Sequence, residues 1–411
     1  MITVSMDVHV RNSFVYASDA TGRVLRRGRC TNTLCDLGAF LAPVERAAVA
    51  TTEPVHVVLE STTNSRGIAR MLASYGREAG IDLTVDVLDA RKLRVIAESV
   101  CKTDGVDARV LNELAASNLK LPVCYLPDDE EFALREHLRS RSDLVRIRTM
   151  FKNRVHAVLH RRVILAPQAD LFTASGREFL RQLVIDEAGR TILTRYLEGV
   201  DQIEALVHES TVSLKELARR PRWAKPAALL RTMPGIGLIT AMTLLAELGN
   251  LKRFPGRASV ANYAGLVPVI RNSNEKRFSG GISRRGSSHL RAVLVEAAWI
   301  AVPRVPAYHD LFHRIERKKN KPTAIVAVAR RMLEDGYTML KKDEAFRFVA
   351  VSCTEATGME SIRSNAVPRC NRKVASRRRV GSAHPTEGWR GSGSHPTTTP
   401  SPYVSRRSNA T

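Results

Sequence analysis

The sequence lacks a hydrophobic run long enough to cross a membrane. Apolar stretches such as Ala292–Val302 are interrupted well short of the ~20 residues that a membrane-spanning helix requires. Met1 leads directly into a strand-like segment, without the basic leader, apolar core and cleavage site of a secretory signal. We therefore expect a cytoplasmic protein with no membrane partner.

Cysteines are few, and two catalytic signatures are missing. The six cysteines, at positions 30, 35, 101, 124, 353 and 370, do not have the spacing of a disulfide framework. The first two could form half of a metal site, but no second pair completes it, so we expect free thiols. No Gly-x-Ser-x-Gly motif indicates an ester hydrolase, and no Gly-Lys-Ser/Thr motif indicates a nucleotide P-loop.

Acidic residues are heavily outnumbered by basic ones. The 411 residues include 41 Asp and Glu against 64 Lys and Arg, which gives a net charge of +23 and a pI near 10.3. So large a positive excess indicates a polyanionic partner, DNA or RNA. The length allows two or three domains, and no internal repeat is visible.

Four segments differ in composition and hydrophobic periodicity, and together they predict an α/β plus all-α fold. Residues 1–125 form a meander of three strands followed by β-α-β-α, the order of a ribonuclease-H-like domain. Residues 126–222 have helical periodicity and predict an antiparallel hairpin or coiled coil. Residues 223–350 are mainly helical, and 351–411 form a basic tail, poor in apolar residues, that we expect to be disordered.

The central helical segment combines an apolar face with a basic surface. The residues predicted to share the apolar face are Leu144, Ile147, Phe151, Val155 and Val158. The cations around it are Arg146, Arg148, Lys152, Arg154, Arg161 and Arg162. Three interpretations remain open: a solvated helix surface, a nucleic-acid contact, and a dimerising coil.

Four carboxylates in the first segment are candidates for a metal site. Asp7 ends the first strand and Glu60 ends the apolar strand VHVVLE, while Asp104 and Asp107 have the i,i+3 spacing of one helical face. Each residue alone could be a helix cap or a surface charge. Gathered at one sheet edge they would repel each other without cations. Oxygen ligands suit Mg²⁺ or Mn²⁺, and a pair of such ions can hold a phosphodiester.

The helical segment at 223–350 contains two candidate phosphate contacts. Gly235 and Gly237 precede a helix, where glycines let backbone amides approach a phosphate; a tight turn explains them equally well. A polar, Gly- and Arg-rich stretch then follows, which we expect to be a loop between apolar helices, and it carries several hydroxyl groups. The four of its cations that are candidates for a phosphate contact are Arg271, Lys276, Arg277 and Arg284. Composition leaves open whether this stretch binds phosphate or also supplies a nucleophilic serine.

Seven stretches, in order, resemble the IS110/IS116/IS902 family of insertion-sequence transposases. They are SMDVHV, LEST, KTDGVDARVL, RTMPGIGLITAMTLLAELG, FPGRASVANYAGLVP, NSNEKRFSGGISRRGSSHLRAVLVEAAW and KPTAIVAVARRML. The resemblance implies a RuvC-like domain whose Asp-Glu-Asp-Asp set corresponds to Asp7, Glu60, Asp104 and Asp107. It also implies a helical transposase domain in which Ser273 attacks DNA, although Asn274 follows where the family usually has glycine.

The resemblance also implies an activity and its partners. The expected protein is a bacterial, nucleoid-associated DNA recombinase that excises and integrates an element by metal-assisted serine attack. The resemblance also implies a homo-oligomer (a dimer or tetramer) and, as in some family members, an element-encoded noncoding guide RNA. Two alternatives stay open. One is a resolvase of Holliday junctions that uses activated water, and the other is an inactive copy that only binds DNA.

Overall fold

The structure is a computed structural model that describes residues 1–90, 92–93, 104–117, 119–167, 170–273 and 276–347, without the side chains of 104–106 and 270–279. Backbone contacts divide the chain into Met1–Val351 and Ser352–Thr411. The predicted disordered tail therefore lies outside the described residues. Across the described part of the chain, no helix is long and apolar enough to span a bilayer.

The N-terminal part contains a five-stranded mixed sheet. Its strands are β1 (Ile2–Val8), β2 (Asn12–Ser18), β3 (Val24–Thr31), β4 (Val55–Glu60) and β5 (Leu83–Leu88). They lie in the order β3-β2-β1-β4-β5. The β1–β2 and β2–β3 pairs are antiparallel, and the β1–β4 and β4–β5 pairs are parallel. The meander and the two parallel strands predicted from the sequence are therefore observed.

Helices cover both faces of this sheet. Helices α1 (Leu34–Thr51) and α2 (Ser65–Glu78) pack on one face, where Val4 and Met6 of β1 are fully buried. Helix α3 (Asp104–Ala116) packs on the other. The sequence analysis did not predict α1.

A long antiparallel helical pair follows the sheet. Its elements are α4 (Asp129–His160), a short helix α5 (Ala174–Gln182) and α6 (Glu187–Leu217). The ion pairs Lys152–Glu204 (3.0 Å) and Arg162–Asp186 (2.5 Å) show that α6 runs back along α4. Val155 and Val158 are buried as predicted.

The C-terminal part is mainly helical and has its own apolar core. Its helices are α7 (Pro221–Leu230), α8 (Leu238–Leu248), a 3₁₀ turn (Leu251–Arg253), α9 (Arg257–Tyr263), α10 (Ser288–Ala301), α11 (Pro306–Lys318) and α12 (Lys321–Lys342). The polar stretch between α9 and α10 differs from the loop expected there. It is a two-stranded antiparallel hairpin of β6 (Pro268–Ser273) and β7 (Lys276–Ile282).

An acidic segment at the start of α4 joins the sheet to the helical part. Arg66 and Arg70 of α2 both donate to Asp129, at 2.6 and 2.7 Å. From α7, Arg222 donates to Asp128, Glu130 and the buried Glu131 at 2.6–3.0 Å. The segment therefore holds arginines from both parts of the protein.

Replacing Arg222 by alanine is expected to lower the free energy of unfolding by about 1–2 kcal/mol near pH 7. The Arg222 guanidinium lowers the pKa of the Asp128 carboxyl. When folding lowers the pKa of a carboxyl, the resulting stabilisation is complete above the pKa that the group has in the unfolded protein, near 4. It is lost as the pH falls through the lower pKa of the folded protein. The difference between variant and wild type should therefore shrink below about pH 4.

Denaturant unfolding at several pH values measures this difference. Arg219→Ala is the matched control, because Arg219 is exposed and surface substitutions usually change stability by less than about 0.5 kcal/mol. If the free energies of unfolding of wild type and Arg222→Ala differ by a constant amount down to pH 3, the stabilisation does not come from the ion pair with Asp128.

Candidate active site

Two of the predicted carboxylates end neighbouring parallel strands. In the β1–β4 register Met6 pairs with Leu59, so Asp7 and Glu60 each follow a paired residue at the same edge of the sheet. Side chains alternate between the faces of a strand. Met6 and Leu59 enter the core beneath α1 and α2, so Asp7 and Glu60 belong to the opposite face, the one that α3 covers.

Helix α3 runs antiparallel to β1 and begins towards this edge. The Ser5 hydroxyl donates to the Ala108 carbonyl at 2.5 Å, and the Asn112 amide donates to the Thr3 carbonyl at 2.9 Å. Four helical residues rise ~6 Å and two strand residues ~6.6 Å. Each step of two residues along β1 therefore corresponds to four residues along α3. One more such step, from Ser5 and Ala108, brings the start of α3 at Asp104 level with Asp7.

The remaining two carboxylates lie in the first turn of α3. Asp107 is exposed, next to the buried Ala108. The backbone of Asp104 opens the helix, but its side chain lies outside the described part of the chain. The structure thus brings the backbones of Asp7, Glu60 and the α3 start to one edge of the sheet.

The loops after β1 and β4 are tied together by residues that the sequence analysis did not identify. The Asn64 side-chain amide donates to the His9 carbonyl at 2.8 Å. The Ser65 hydroxyl donates to the Glu60 carbonyl at 2.9 Å. His9 Nε2 lies 3.4 Å from an Asp7 carboxylate oxygen, and the Asp7 side chain is only 18% exposed. These bonds fix the backbone on which Asp7 and Glu60 are placed.

The donor chemistry of this edge fits a hard divalent cation. Asp7, Glu60, Asp104 and Asp107 offer only carboxylate oxygens, the ligands that Mg²⁺ and Mn²⁺ prefer. Among the side chains that the structure describes, which do not include that of Asp104, no three His, Cys, Asp or Glu are arranged to hold a metal. The four-residue set stays a prediction.

The predicted serine lies at the tip of the β6–β7 hairpin. Ser273 is the last residue of β6, and its backbone pairs with Lys276, while Asn272 pairs with Arg277. The side chains of Arg271, Ser273, Lys276 and Arg277 lie outside the described residues. The backbone pairing nevertheless gives the serine a basic neighbour on the opposite strand.

The root of the hairpin is tightly built. The Ser283 amide donates to the Val267 carbonyl at 2.8 Å, and the exposed Arg284 adopts a positive φ of 51°. Arg291 of α10 donates to the carbonyls of Ala264 (3.0 Å) and Gly286 (3.1 Å). Burial, and secondly the nearby Arg284, lowers the pKa of Arg291. Sequence reasoning identified Arg284 but not Arg291, whose role depends on contacts across the turn.

Replacing Gly286 by alanine is expected to destabilise the protein by about 2–4 kcal/mol. Gly286 has φ = 99°, and an added Cβ would lie 1.9 Å from the Tyr263 carbonyl oxygen. Because that atom belongs to the backbone, it cannot move aside cheaply. Gly281→Ala in β7 is the control, since among the described residues no atom beyond its two chain neighbours lies within 4 Å of its Cβ position. Thermal unfolding compares the two variants; equal stability would contradict the close approach.

The two glycines before α8 differ in their surroundings. Gly235 has φ = 89°, and an added Cβ would lie 2.3 Å from the Ala297 carbonyl oxygen of α10. Packing therefore accounts for Gly235 without any ligand. Gly237 caps α8, and the space beside it is open. Phosphate binding by either glycine stays a prediction.

Two family models match the chain. The model described as "Transposase IS116/IS110/IS902 family" matches residues 227–314, which include the hairpin and α10. The DEDD_Tnp_IS110 model, described as "Transposase", matches residues 4–163, which include the sheet, α3 and α4. The chain belongs to the IS110/IS116/IS902 family of transposases. The resemblance noted in the sequence is thereby confirmed.

Individual relatives of this family member agree with the family models. The transposase for insertion sequence element IS1328 of Yersinia enterocolitica is 27% identical over 300 residues, covering 72% of this chain and 82% of that protein. The pilin gene-inverting protein of Moraxella bovis is 24% identical over 304 residues, covering 72% and 83%. The y4qE protein of Sinorhizobium fredii is 26% identical over 249 residues, which span 60% of this chain and 58% of that protein.

Proposed function

We propose that this protein is a DNA transposase that cuts and rejoins strands by attack of Ser273 on a phosphodiester. The observation that carries the proposal is the convergence of the Asp7 and Glu60 strand ends with the start of α3, on one face of the sheet. Family membership supports it, because family members are transposases. One relative is named for an insertion sequence, which is a mobile DNA element, and another for the inversion of a pilin gene. Both names refer to proteins that rearrange DNA.

The proposed architecture follows from the same elements. A sheet of order β3-β2-β1-β4-β5 with β2 antiparallel supports a ribonuclease-H/RuvC-like domain over residues 1–125. Residues 126–222 then form the coiled-coil linker, 223–350 the serine-bearing transposase domain, and 351–411 the tail. Backbone contacts separate Met1–Val351 from Ser352–Thr411, which supports a boundary close to the proposed start of the tail.

The metal-holding residues in this proposal are Asp7, Glu60, Asp104 and Asp107. A divalent cation there, Mg²⁺ or Mn²⁺, would supply positive charge to the scissile phosphate. His9 and the Asn64 amide hold the strand ends in place, so that ligand positions are set before DNA arrives.

The proposed reaction has two balanced steps. The Ser273 oxygen forms a bond to phosphorus, its proton leaves, and the strand oxygen that departs from phosphorus takes up a proton. A hydroxyl from a second strand then attacks the same phosphorus and loses its proton, while the bond from phosphorus to the Ser273 oxygen breaks and that oxygen takes up a proton. Arg271, Lys276, Arg277 and Arg284 are the candidate cations that would orient the phosphate.

The proposed partners are the element ends and the target DNA. The net charge of +23 also suits a structured guide RNA, and a homo-oligomer would bring two element ends together. The place of action would be the bacterial cytoplasm at the nucleoid. All of these are proposals made on family membership and charge.

Trapping of a covalent protein–DNA species tests the proposal. Purified protein is incubated with labelled element-end DNA, Mg²⁺ and any cognate noncoding RNA, and is then denatured. A protease-sensitive shifted band is expected. Cleavage without such a band would favour a resolvase that uses activated water, and binding without cleavage would favour an inactive copy.

A further inference from the structure

Cations occupy inward positions in the helical pair formed by α4 and α6. Positions 134, 138, 141, 145, 148, 152, 155 and 159 of α4 alternate by four and three residues, the spacing of one continuous seam. Leu134, Leu138, Val155 and Leu159 are buried at the two ends of the seam. Between them lie Arg141, Arg148 and Lys152. The opposing α6 residues, at seven-residue spacing, are the buried Leu193, Val200, Val207 and Leu214.

Two of these three cations have no carboxylate partner among the described residues. Lys152 pairs with Glu204 at 3.0 Å. Arg141 donates only to the Thr211 hydroxyl, at 2.9 Å. The Nε atom of Arg148 is buried and makes no hydrogen bond within the described part of the chain. Both arginines are half-buried, so neither residue is closed off completely from solvent.

This arrangement is unfavourable for the isolated helical pair. Partly desolvating a guanidinium without an ion partner costs free energy that an apolar seam residue would not. The two arginines are also two helical turns apart, ~10.5 Å along the axis, and repel each other. Burial, and secondly the charge of Arg148, lowers the pKa of Arg141. An external anion would remove this penalty.

We propose that Arg141 and Arg148 form a phosphate-binding slot in the coil, which holds the phosphodiester backbone of a nucleic acid. The surrounding charge favours this anion over a carboxylate of a second protein. Positions 139–162 carry eight Arg or Lys residues and one Asp. The exposed cations Arg146 and Arg154 flank Arg148 and would guide a strand towards it. The slot rests on the proposed function, since it supplies a nucleic-acid contact for the same reaction.

A double variant, Arg141→Leu with Arg148→Leu, tests the slot through two readouts that should move in opposite senses. The melting temperature of the free protein is expected to rise by about 2–4 °C, because leucine suits the seam. Affinity for nucleic acid is expected to fall about tenfold at 0.1 M salt, with a salt slope smaller by about 1.8 for duplex DNA. The probes are a labelled random-sequence DNA duplex and an RNA hairpin with the same number of phosphates, which tell the two backbones apart.

The matched control is Arg146→Leu with Arg154→Leu, which removes the same charge from exposed positions of α4. It should not raise the melting temperature, and it should weaken binding less than the seam variant does. Arg141→Gln with Arg148→Gln gives a second, polar version should the leucine variant fail to fold.

Each other outcome overturns a distinct claim. Wild-type affinity and salt slope in a folded seam variant would refute the slot while leaving the proposed function intact. Failure of the wild-type protein to bind either probe would refute the proposed function itself. A change in oligomer mass with unchanged nucleic-acid affinity would show that the arginines face carboxylates of a second copy, and would also refute the slot.

Discussion

Replacing Ser273 by alanine is expected to remove the covalent protein–DNA species and to lower strand transfer by at least about 10³-fold. Alanine has no oxygen that can bond to phosphorus, and no water in that position would form a protein adduct. DNA affinity should stay near the wild-type value, because the cations and the sheet edge are unchanged. Adduct trapping and a filter-binding measurement on the same preparation separate the two effects.

Two serines on β7 and just after it provide controls for this result. Ser279 pairs with Ile270 across the hairpin, and Ser283 has a buried hydroxyl without a hydrogen-bond partner among described residues. Alanine at either position should leave the adduct intact. Adduct formation by Ser273→Ala, or its loss in Ser279→Ala instead, would show that another hydroxyl is the nucleophile.

The sheet could be predicted because its strands carry local signals. VHVVLE is a short apolar run, and the observed β4 has the same bounds, Val55–Glu60. Helix α1 has a weaker signal, since Pro43 lies inside it and proline usually ends a helix. Its start was readable in principle, because Thr33 accepts from the Asp36 amide as an N-cap.

The serine hairpin could not be predicted from local pattern. Its strands are polar and rich in Gly and Arg, so they lack the alternation of apolar residues that identifies a half-buried strand. What defines the hairpin is contact between segments far apart in sequence. Gly265 and Gly286, for instance, allow the backbones on either side of it to approach closely.

The inward face of α4 was only partly predictable for a related reason. Leu144, Ile147 and Phe151 have helical spacing but are half-buried, while Val155 and Val158 are fully buried. Arg148 and Lys152, both assigned to the exterior, lie in the seam instead. Two faces of one helix can both have helical spacing, and the partner helix decides which one is covered.

The carboxylate edge shows the same division between local and long-range information. The strand ends at Asp7 and Glu60 followed from the strand pattern. The bond from Asn64 to the His9 carbonyl joins residues whose proximity depends on the parallel pairing of β1 with β4, whereas the bond from Ser65 to Glu60 lies within the loop after β4. No local spacing identifies such a pair.

Replacing Glu60 by glutamine is expected to lower metal-dependent DNA cleavage by at least about a hundredfold. Glutamine has nearly the same shape, so the backbone bond from Ser65 is kept while one negative charge is lost from the sheet edge. A smaller total negative charge on the metal ligands lowers the affinity of the site for Mg²⁺ and Mn²⁺. The stabilisation of the wild-type protein by added Mn²⁺, measured as a rise in melting temperature, should therefore also shrink in the variant.

Glu78→Gln, at the exposed end of α2, removes the same charge from the same part of the protein and should change neither readout. Chelation with EDTA should reduce wild-type cleavage to the level of the Glu60 variant. If Glu60→Gln cleaves DNA at the wild-type rate and keeps the Mn²⁺ shift, the edge formed by β1, β4 and α3 does not hold the metal. The nucleophile at Ser273 would then need a different source of positive charge, and the cations of the hairpin, beginning with Arg284, would be the next to substitute.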